Sequence, residues 1–382
     1  MSSIGDHTRR QFLGASLASA MMGARAWYHP APICAAEEKT LLERSQIASV
    51  RLLGKQFLDN PVNVTGLDGA TSTKLPSGEA LWMFGDTVEG PFKSIRDLEL
   101  THLCSNTAAV VPRQDVAEGI RQFRFLAQPD GKRPRQPLPF AADEDPAIHR
   151  VWPIHGVCVG QDIFIFYHRI TLLKGGDVFV NFQLDGMGIA RARVGDFKFE
   201  RLLAPDGTRE FWKGSEPTFG VFVDRVGGYV YLWGSLATGM HLARTRETSI
   251  ADLSSYEYLL EAPTAAKPTA AVRWGKKAAG ATPLFDSVPN EMSAAYNAHL
   301  KKFVAFHSLH RENKIVMRMA PAITGPWSEL QLVYRPERIG EADLIYAAKE
   351  HPELASDDGK KLYVTFVNSA NYVPQMIEVT LT

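Results

Sequence analysis

Residues 80–86 read Ala-Leu-Trp-Met-Phe-Gly-Asp, and the fold follows from how this stretch is read. An apolar, aromatic-rich run of this length is a strand signal. Four more stretches share its character: residues 163–169 (IFIFYHR), 229–235 (YVYLWGS), 303–308 (FVAFHS) and 362–368 (LYVTFVN). Their starts are separated by 83, 66, 74 and 59 residues. A turn signal precedes each one: Pro76-Ser77-Gly78, Gly160-Gln161, Gly227-Gly228, Asn297-Ala298-His299 and Asp357-Asp358-Gly359. Another short segment lies before each turn, so the pattern predicts five hairpins.

Further segments follow the hairpins in a constant order. Residues 106–112 and 122–126, 188–194 and 197–203, 241–246 and 256–260, and 315–320 and 330–334 complete four units of four strands. The fifth unit ends with residues 376–381 and lacks a last strand, while residues 50–58 are left over near the N-terminus. A surplus strand at one end and a deficit at the other fit a propeller whose last blade takes a strand from each chain end, which leaves no open edge. The expected class is all-β: a five-bladed β-propeller, its last blade closed by the N-terminal strand, in a single domain over residues 37–382. Two β-sandwich domains are the alternative, and they do not require the strand count to balance. Residues 247–253 alone carry a helical period of useful length.

Composition narrows the class of function. The 382 residues hold 42 Lys+Arg, 42 Asp+Glu and 45% hydrophobic residues, as in an ordinary globular chain, and not in a disordered one. Zero net charge lacks the basic surplus of a nucleic-acid binder. Three cysteines are too few to staple a chain of this size. Residues 1–36 read as an address: Thr8-Arg9-Arg10-Gln11-Phe12-Leu13, then a small-residue apolar run to Ala24, resemble a bacterial twin-arginine export signal. That run is too short to cross a bilayer and is bounded by Arg25, so a periplasmic or extracellular monomer without a permanent anchor is expected. Cleavage after Ala26 or Ala36 is compatible with the sequence. From residue 37 onward 39 basic and 41 acidic side chains remain, with Cys104 and Cys158, whose pairing stays open.

In an antiparallel hairpin, positions equidistant from the turn are neighbours across the ladder. Mirroring pairs Asp68 with Asp86 about Ser77, Glu291 with His307 about His299, and His351 with Asn368 about Gly359, while His155 and His168 flank the Gly160-Gln161 turn and Glu216 and Ser235 flank Gly227. Carboxylates and imidazoles gathered at one end of a β-scaffold are costly unless hydrated or functional. An acid and a base within reach of one bond are the apparatus of glycoside hydrolysis. Asp68, Asp86 and Glu216 are therefore the candidate catalytic residues, with Trp152, His155, His168, Glu291, His307 and His351 as candidate sugar-binding residues. Each has a structural alternative: Asp68 and Asp86 as turn or strand-end residues, the histidines as satisfied core groups, Trp152 as a core or rim aromatic. No HExxH, CxxC, EF-hand, GxSxG or Walker motif is present. No cofactor is expected, although His155, His307 and His351 leave an axial divalent cation open.

Asp68-Gly69-Ala70-Thr71-Ser72 followed by Leu81-Trp82-Met83-Phe84-Gly85-Asp86-Thr87 resembles the opening of the DUF4185 family, and Ser105-Asn106-Thr107-Ala108 and Glu350-His351-Pro352-Glu353-Leu354 fit the same pattern. Ser215-Glu216-Pro217 with Gly228-Tyr229-Val230-Tyr231-Leu232 is similar to the general-acid blade of five-bladed arabinanase/xylosidase-type glycoside hydrolases. The first resemblance implies a five-bladed propeller and arabinan cleavage by Asp68 and Asp86. The second implies that Glu216 is the acid. In the arabinanase type the second blade opens with Asp-Pro; here Trp152-Pro153 stands there, and the charge-tuning aspartate is absent. The expected function is an exported glycoside hydrolase acting on a poly- or oligosaccharide across the propeller mouth. Alternatives are a non-catalytic carbohydrate-binding propeller and a metal-dependent lactonase-type propeller.

Overall fold

Thr71–Lys74 pairs antiparallel with Ala80–Phe84, in a register running from Thr71 opposite Met83 to Lys74 opposite Ala80. The turn between them is tight because Gly78 takes φ +86°. All five residues of Ala80–Phe84 are buried, and a continuous apolar run, not an alternating one, suits a strand covered on both faces. Trp82 and Phe84 are each 0% exposed, and side chains of this size contribute ~1.5–3 kcal/mol apiece on full burial.

The computed structural model describes residues 46–92, 103–174, 181–287, 289–309, 312–340 and 343–382. The export signal expected in residues 1–36 lies outside them. Within the described residues the regular elements are strands and single 3₁₀ turns. The helical period at 247–253 resolves into two such turns, Glu247–Ser249 and Leu253–Ser255, interrupted by the extended backbone of Asp252.

Thr71–Lys74, Ala80–Phe84, Thr107–Val111 and Arg124–Phe125 form the first of the main sheets. His149–Val159, Asp162–Leu172 and Phe182–Arg193 form the next, with Glu200–Arg201 and Trp212–Lys213 both on Phe182–Arg193. Thr218–Val226 leads a third sheet through Tyr229–Leu236, Gly239–Arg246, Glu257–Glu261 and Arg273–Gly275. Met292–Asn297, Lys302–Leu309, Lys314–Ala320 and Gln331–Tyr334 make the fourth. Ile345–Glu350, Lys361–Asn368 and Val373–Leu381 make the last, completed by Ile47–Lys55 from the other end of the chain. Ile47–Lys55 pairs with Val373–Leu381 from Ile47 opposite Leu381 to Lys55 opposite Gln375. The C-terminal strand therefore presents no open hydrogen-bonding edge on that side. A small sheet of Val64–Leu67, Thr87–Glu89 and Leu103–Cys104 flanks the first.

Apolar cores lie between consecutive sheets. Leu81 and Met83 pack with Ile163 and Ile165; Phe166 and Met187 with Phe219 and Leu232; Trp233 and Leu242 with Met292 and Ala305; Phe306 and Met317 with Val364 and Ile377. Trp82 and Phe84 then share a core with Tyr363 and Met376, which joins the last sheet back to the first. Cys104 and Cys158 are both free thiols.

The mirrored pairs hold in one hairpin out of five. His155 lies opposite Phe166, because the hairpin is centred between Gly160 and Gln161, and a bulge between Phe166 and Tyr167 then sets His168 opposite Trp152. A bulge between Phe219 and Phe222 brings Thr218, not Glu216, opposite Ser235. Met292 faces His307 in place of Glu291, and Ile345 faces Asn368 in place of His351. A bulge, or a turn centre displaced by one residue, moves every pair downstream of it.

Candidate active site

Asp68 and Asp86 are placed by the first hairpin, whose ladder runs on past its strands. The Asp68 N–H donates to the Asp86 carbonyl at 3.0 Å, and the Gly85 N–H donates to the Asp68 carbonyl at 2.9 Å. Gly85 keeps this approach close: a Cβ there would stand 3.1 Å from Asp68 Oδ2, tighter than ordinary van der Waals contact. The mirror about Ser77 thus holds at the two aspartates.

Side chains from three other sheets converge on this pair. Tyr346 donates its hydroxyl proton to Asp68 Oδ1 at 2.7 Å. Arg150 places Nε 3.4 Å from Asp86 Oδ1, with both side chains almost fully buried. Lys349 Nζ lies 2.5 Å from Glu291 Oε1. Asp68 remains half-buried, whereas Asp86 is 4% exposed.

Burial is the largest influence on both aspartates. It pushes Asp68 up to about 7, reinforced by the Glu291 and Asp86 charges and opposed by the Tyr346 hydrogen bond and Lys349. Burial likewise pushes Asp86 up to about 6, against the pull of Arg150 and of the Trp152 indole. That indole N–H makes no hydrogen bond of good geometry, yet faces the carboxylate. Around neutrality Asp68 is therefore balanced between its two forms, while Asp86 is mostly ionised beside a guanidinium.

Glu216 is not brought to this pair. Its Oε2 accepts from the Lys213 N–H at 2.9 Å, within its own turn, and it lines a separate cavity with Asp206, Glu210, Lys213 and Tyr258. The carboxylate beside Asp68 is Glu291. His351 is 1% exposed, with Nδ1 2.7 Å from Ser72 Oγ, Nε2 2.7 Å from Thr365 Oγ1, and its ring stacked on Trp82 at 4.1 Å. Burial, then the neighbouring Lys349 and His155, drives it well below its ordinary value. His155 packs 4.4 Å from the Phe222 ring and is pushed down to about 3 by burial and Lys349. His168 is buried on the second strand of its sheet and pushed down to about 4 by burial. His307 is 0% exposed, with Nδ1 3.3 Å from the Ser308 carbonyl. These four imidazoles are all buried, and none of them hydrogen-bonds to Asp68 or Asp86. Nor do they form a ligand set: both ring nitrogens of His351 are engaged, and among the described residues no group of three His, Cys, Asp or Glu is arranged around a metal. Trp152 is half-buried beside Asp86, edge-on to Phe182 at 5.1 Å.

Arg150, Tyr346 and Lys349 are site residues that sequence reasoning missed. A signal existed for one of them: Lys349 interrupts the apolar strand Ile345–Glu350, and a lysine in a buried strand calls for a partner.

The architecture is that of the glycoside hydrolase propellers. A GH43_1 enzyme from Xanthomonas citri matches with a TM-score of 0.50 at 10% identity, covering 91% of this chain and 94% of its own. The same enzyme complexed with xylose matches at 0.50 and 11% over the same shares. A hydrolase candidate from Bacteroides ovatus ATCC 8483 matches at 0.60 and 15%, covering 84% of this chain and 87% of its own. No curated protein matches the sequence. The model of a domain of unknown function, DUF4185, matches residues 55–377, and the chain belongs to that family.

Proposed function

We propose that the protein is an exported glycoside hydrolase, a five-bladed propeller with Asp68 and Asp86 as its catalytic pair. The observation that carries the reading is the convergence of four sheets on two opposed aspartates whose environments hold one near its midpoint and the other largely ionised. Two carboxyl groups separated in this way are suited to opposite roles in glycosidic cleavage. Asp68, half-open and about 7, delivers the proton to the departing glycosidic oxygen. Asp86, anionic against Arg150, is the carboxylate partner of the displacement at the anomeric carbon.

The five blades are the five main sheets, and support comes from the five cores between consecutive sheets, including the one joining Trp82 to Tyr363. The Ser72–His351 hydrogen bond ties the first strand of the first sheet to the end of the first strand of the last. Xylose in the Xanthomonas citri enzyme makes pentose-containing glycans, arabinans among them, the first substrates to offer. Twin-arginine export through residues 1–36 would bring the protein to such polymers outside the cytoplasm.

Product analysis on a panel of plant and bacterial polysaccharides tests the reading with wild type, Asp68→Asn and Asp86→Asn. Each substitution should lower cleavage by ~10²–10⁴-fold, the range for a lost acid or base. Unchanged cleavage in both variants refutes the mechanism, and glycan binding by wild type without any product identifies a binding module instead.

A further inference from the structure

Glu291 approaches Asp68 from a different sheet and is fixed there from two sides. Its Oε1 lies 2.9 Å from where a Cβ on Gly69 would stand, and Gly69 holds φ +60°. A side chain at position 69 would meet both a left-handed backbone and the carboxylate, so glycine is what lets Glu291 lie against the Asp68–Gly69 backbone. The same oxygen is the one bound to Lys349 Nζ. The Lys349 side chain is 3% exposed and that of Glu291 17%. A lysine so enclosed has no solvent to turn to, so the pair is held together by the cost of separating it.

We infer that Glu291, clamped by Lys349, is the positioning residue that sets the charge environment of Asp68, which rests on the reading of Asp68 as the acid. A fixed negative charge beside a partly desolvated carboxyl favours its neutral form, and a cation behind that charge moderates the effect. Other groups facing Asp68 are Asp86, which acts with Glu291, and Tyr346, which opposes it through a hydrogen bond to the anion. Tyr372 lies beside it, with its carbonyl accepting from the Leu67 N–H at 2.7 Å. Arg150 acts on Asp86. Of the charged neighbours Glu291 exerts the strongest influence on Asp68, and Lys349 acts in the opposite sense.

The two members of the clamp therefore have opposite signatures, which a merely structural role would not produce. Glu291→Gln keeps the shape and removes the charge, so Asp68 should titrate about one unit lower, a roughly tenfold change in proton affinity. Lys349→Met should move it the other way. The full-length chain labelled with ¹³C-carboxyl aspartate reads this by NMR titration without any substrate, the Asp68 signal being the one missing from Asp68→Asn. Where activity is measurable, the alkaline limb of kcat/KM should follow the same two directions.

An Asp68 midpoint that stays in place in folded Glu291→Gln, or moves upward, overturns the inference. Should Lys349→Met not fold, Glu291→Gln with Lys349→Met, which has no charge to bury, substitutes for it and should titrate below wild type. The activity of Asp68→Asn tests the underlying reading separately: full activity there sinks the acid assignment whatever the titration shows.

Discussion

The Tyr346 hydroxyl donates to Asp68 Oδ1 at 2.7 Å, from the sheet that ends the chain to the hairpin that opens the first one. The bond stabilises the carboxylate and holds Asp68 below where burial and Glu291 would take it. Tyr346→Phe removes the donor while preserving the ring. Asp68 then becomes a weaker acid, and the alkaline limb of the kcat/KM profile moves to higher pH. Loss of a hydrogen bond to a charged group, about 1.5–3 kcal/mol, corresponds to a fall in kcat of roughly 10–100-fold. A profile that superimposes on wild type would show that the contact has no part in the chemistry.

Arg150 is the counter-charge of a carboxylate that has almost no solvent. With Asp86 pushed up to about 6 even beside the guanidinium, removing that charge raises it further. Arg150→Met should leave Asp86 protonated at pH 7 and reduce activity ~10²-fold, in the lower range for a lost acid–base group. Because the defect is one of ionisation, the acid limb of the kcat/KM profile should move to higher pH, towards the alkaline limb set by Asp68. A defect of equal size at every pH would mean that Arg150 serves only packing.

The two aspartates were legible in the sequence because a short glycine turn and a bulge-free ladder fix positions 68 and 86 opposite each other. The strand inventory was legible for the same reason: ALWMF, IFIFYHR and YVYLW are buried runs whose length and turns leave little choice. The other pairs were not, since their turns are centred away from the assumed midpoints and the bulges at Phe166/Tyr167 and Phe219/Phe222 have no local signature. The Glu291–Lys349 contact spans 58 residues and two sheets. Its register is set by how the sheets pack, and no hairpin rule reaches it. The surroundings of the histidines were equally illegible: His351 is engaged by Ser72 and Thr365, which lie 279 and 14 residues away in sequence.

Glu350 should make the fold sensitive to alkaline conditions. It is 5% exposed, and burial, with Glu353 and Asp224 nearby, pushes it up to about 8 from 4.5. A carboxyl group that binds its proton more tightly in the folded state loses stability as pH rises from the unfolded value to the folded one. The window is therefore about 4.5 to 8, and the full cost is on the order of a few kcal/mol. Glu350→Gln carries no ionisation and should melt higher than wild type at pH 8, while the two converge near pH 5. Equal melting temperatures at pH 8 would show that the carboxylate is stabilised there by other means.

Glu144 should give the opposite pH response at the acid end. Its side chain is fully buried and bridges Arg201, at Nη1 and Nη2, and Arg169 Nε at 2.9 Å. Burial alone would raise its titration, but hydrogen bonds from Arg201, the Ala141 N–H and Arg169 overcome it and bring Glu144 down to about 2. A depressed carboxyl contributes stability that is complete above the unfolded value near 4.5 and disappears as pH falls through about 2. Glu144→Gln leaves Arg201, 4% exposed, without its counter-charge, and breaking a buried pair from one side costs ~3–5 kcal/mol. Urea unfolding at pH 7 should show that loss, and the gap from wild type should close between pH 4.5 and 2. A gap that persists unchanged at pH 2 would mean that Glu144 stabilises the sheet through shape and not through charge.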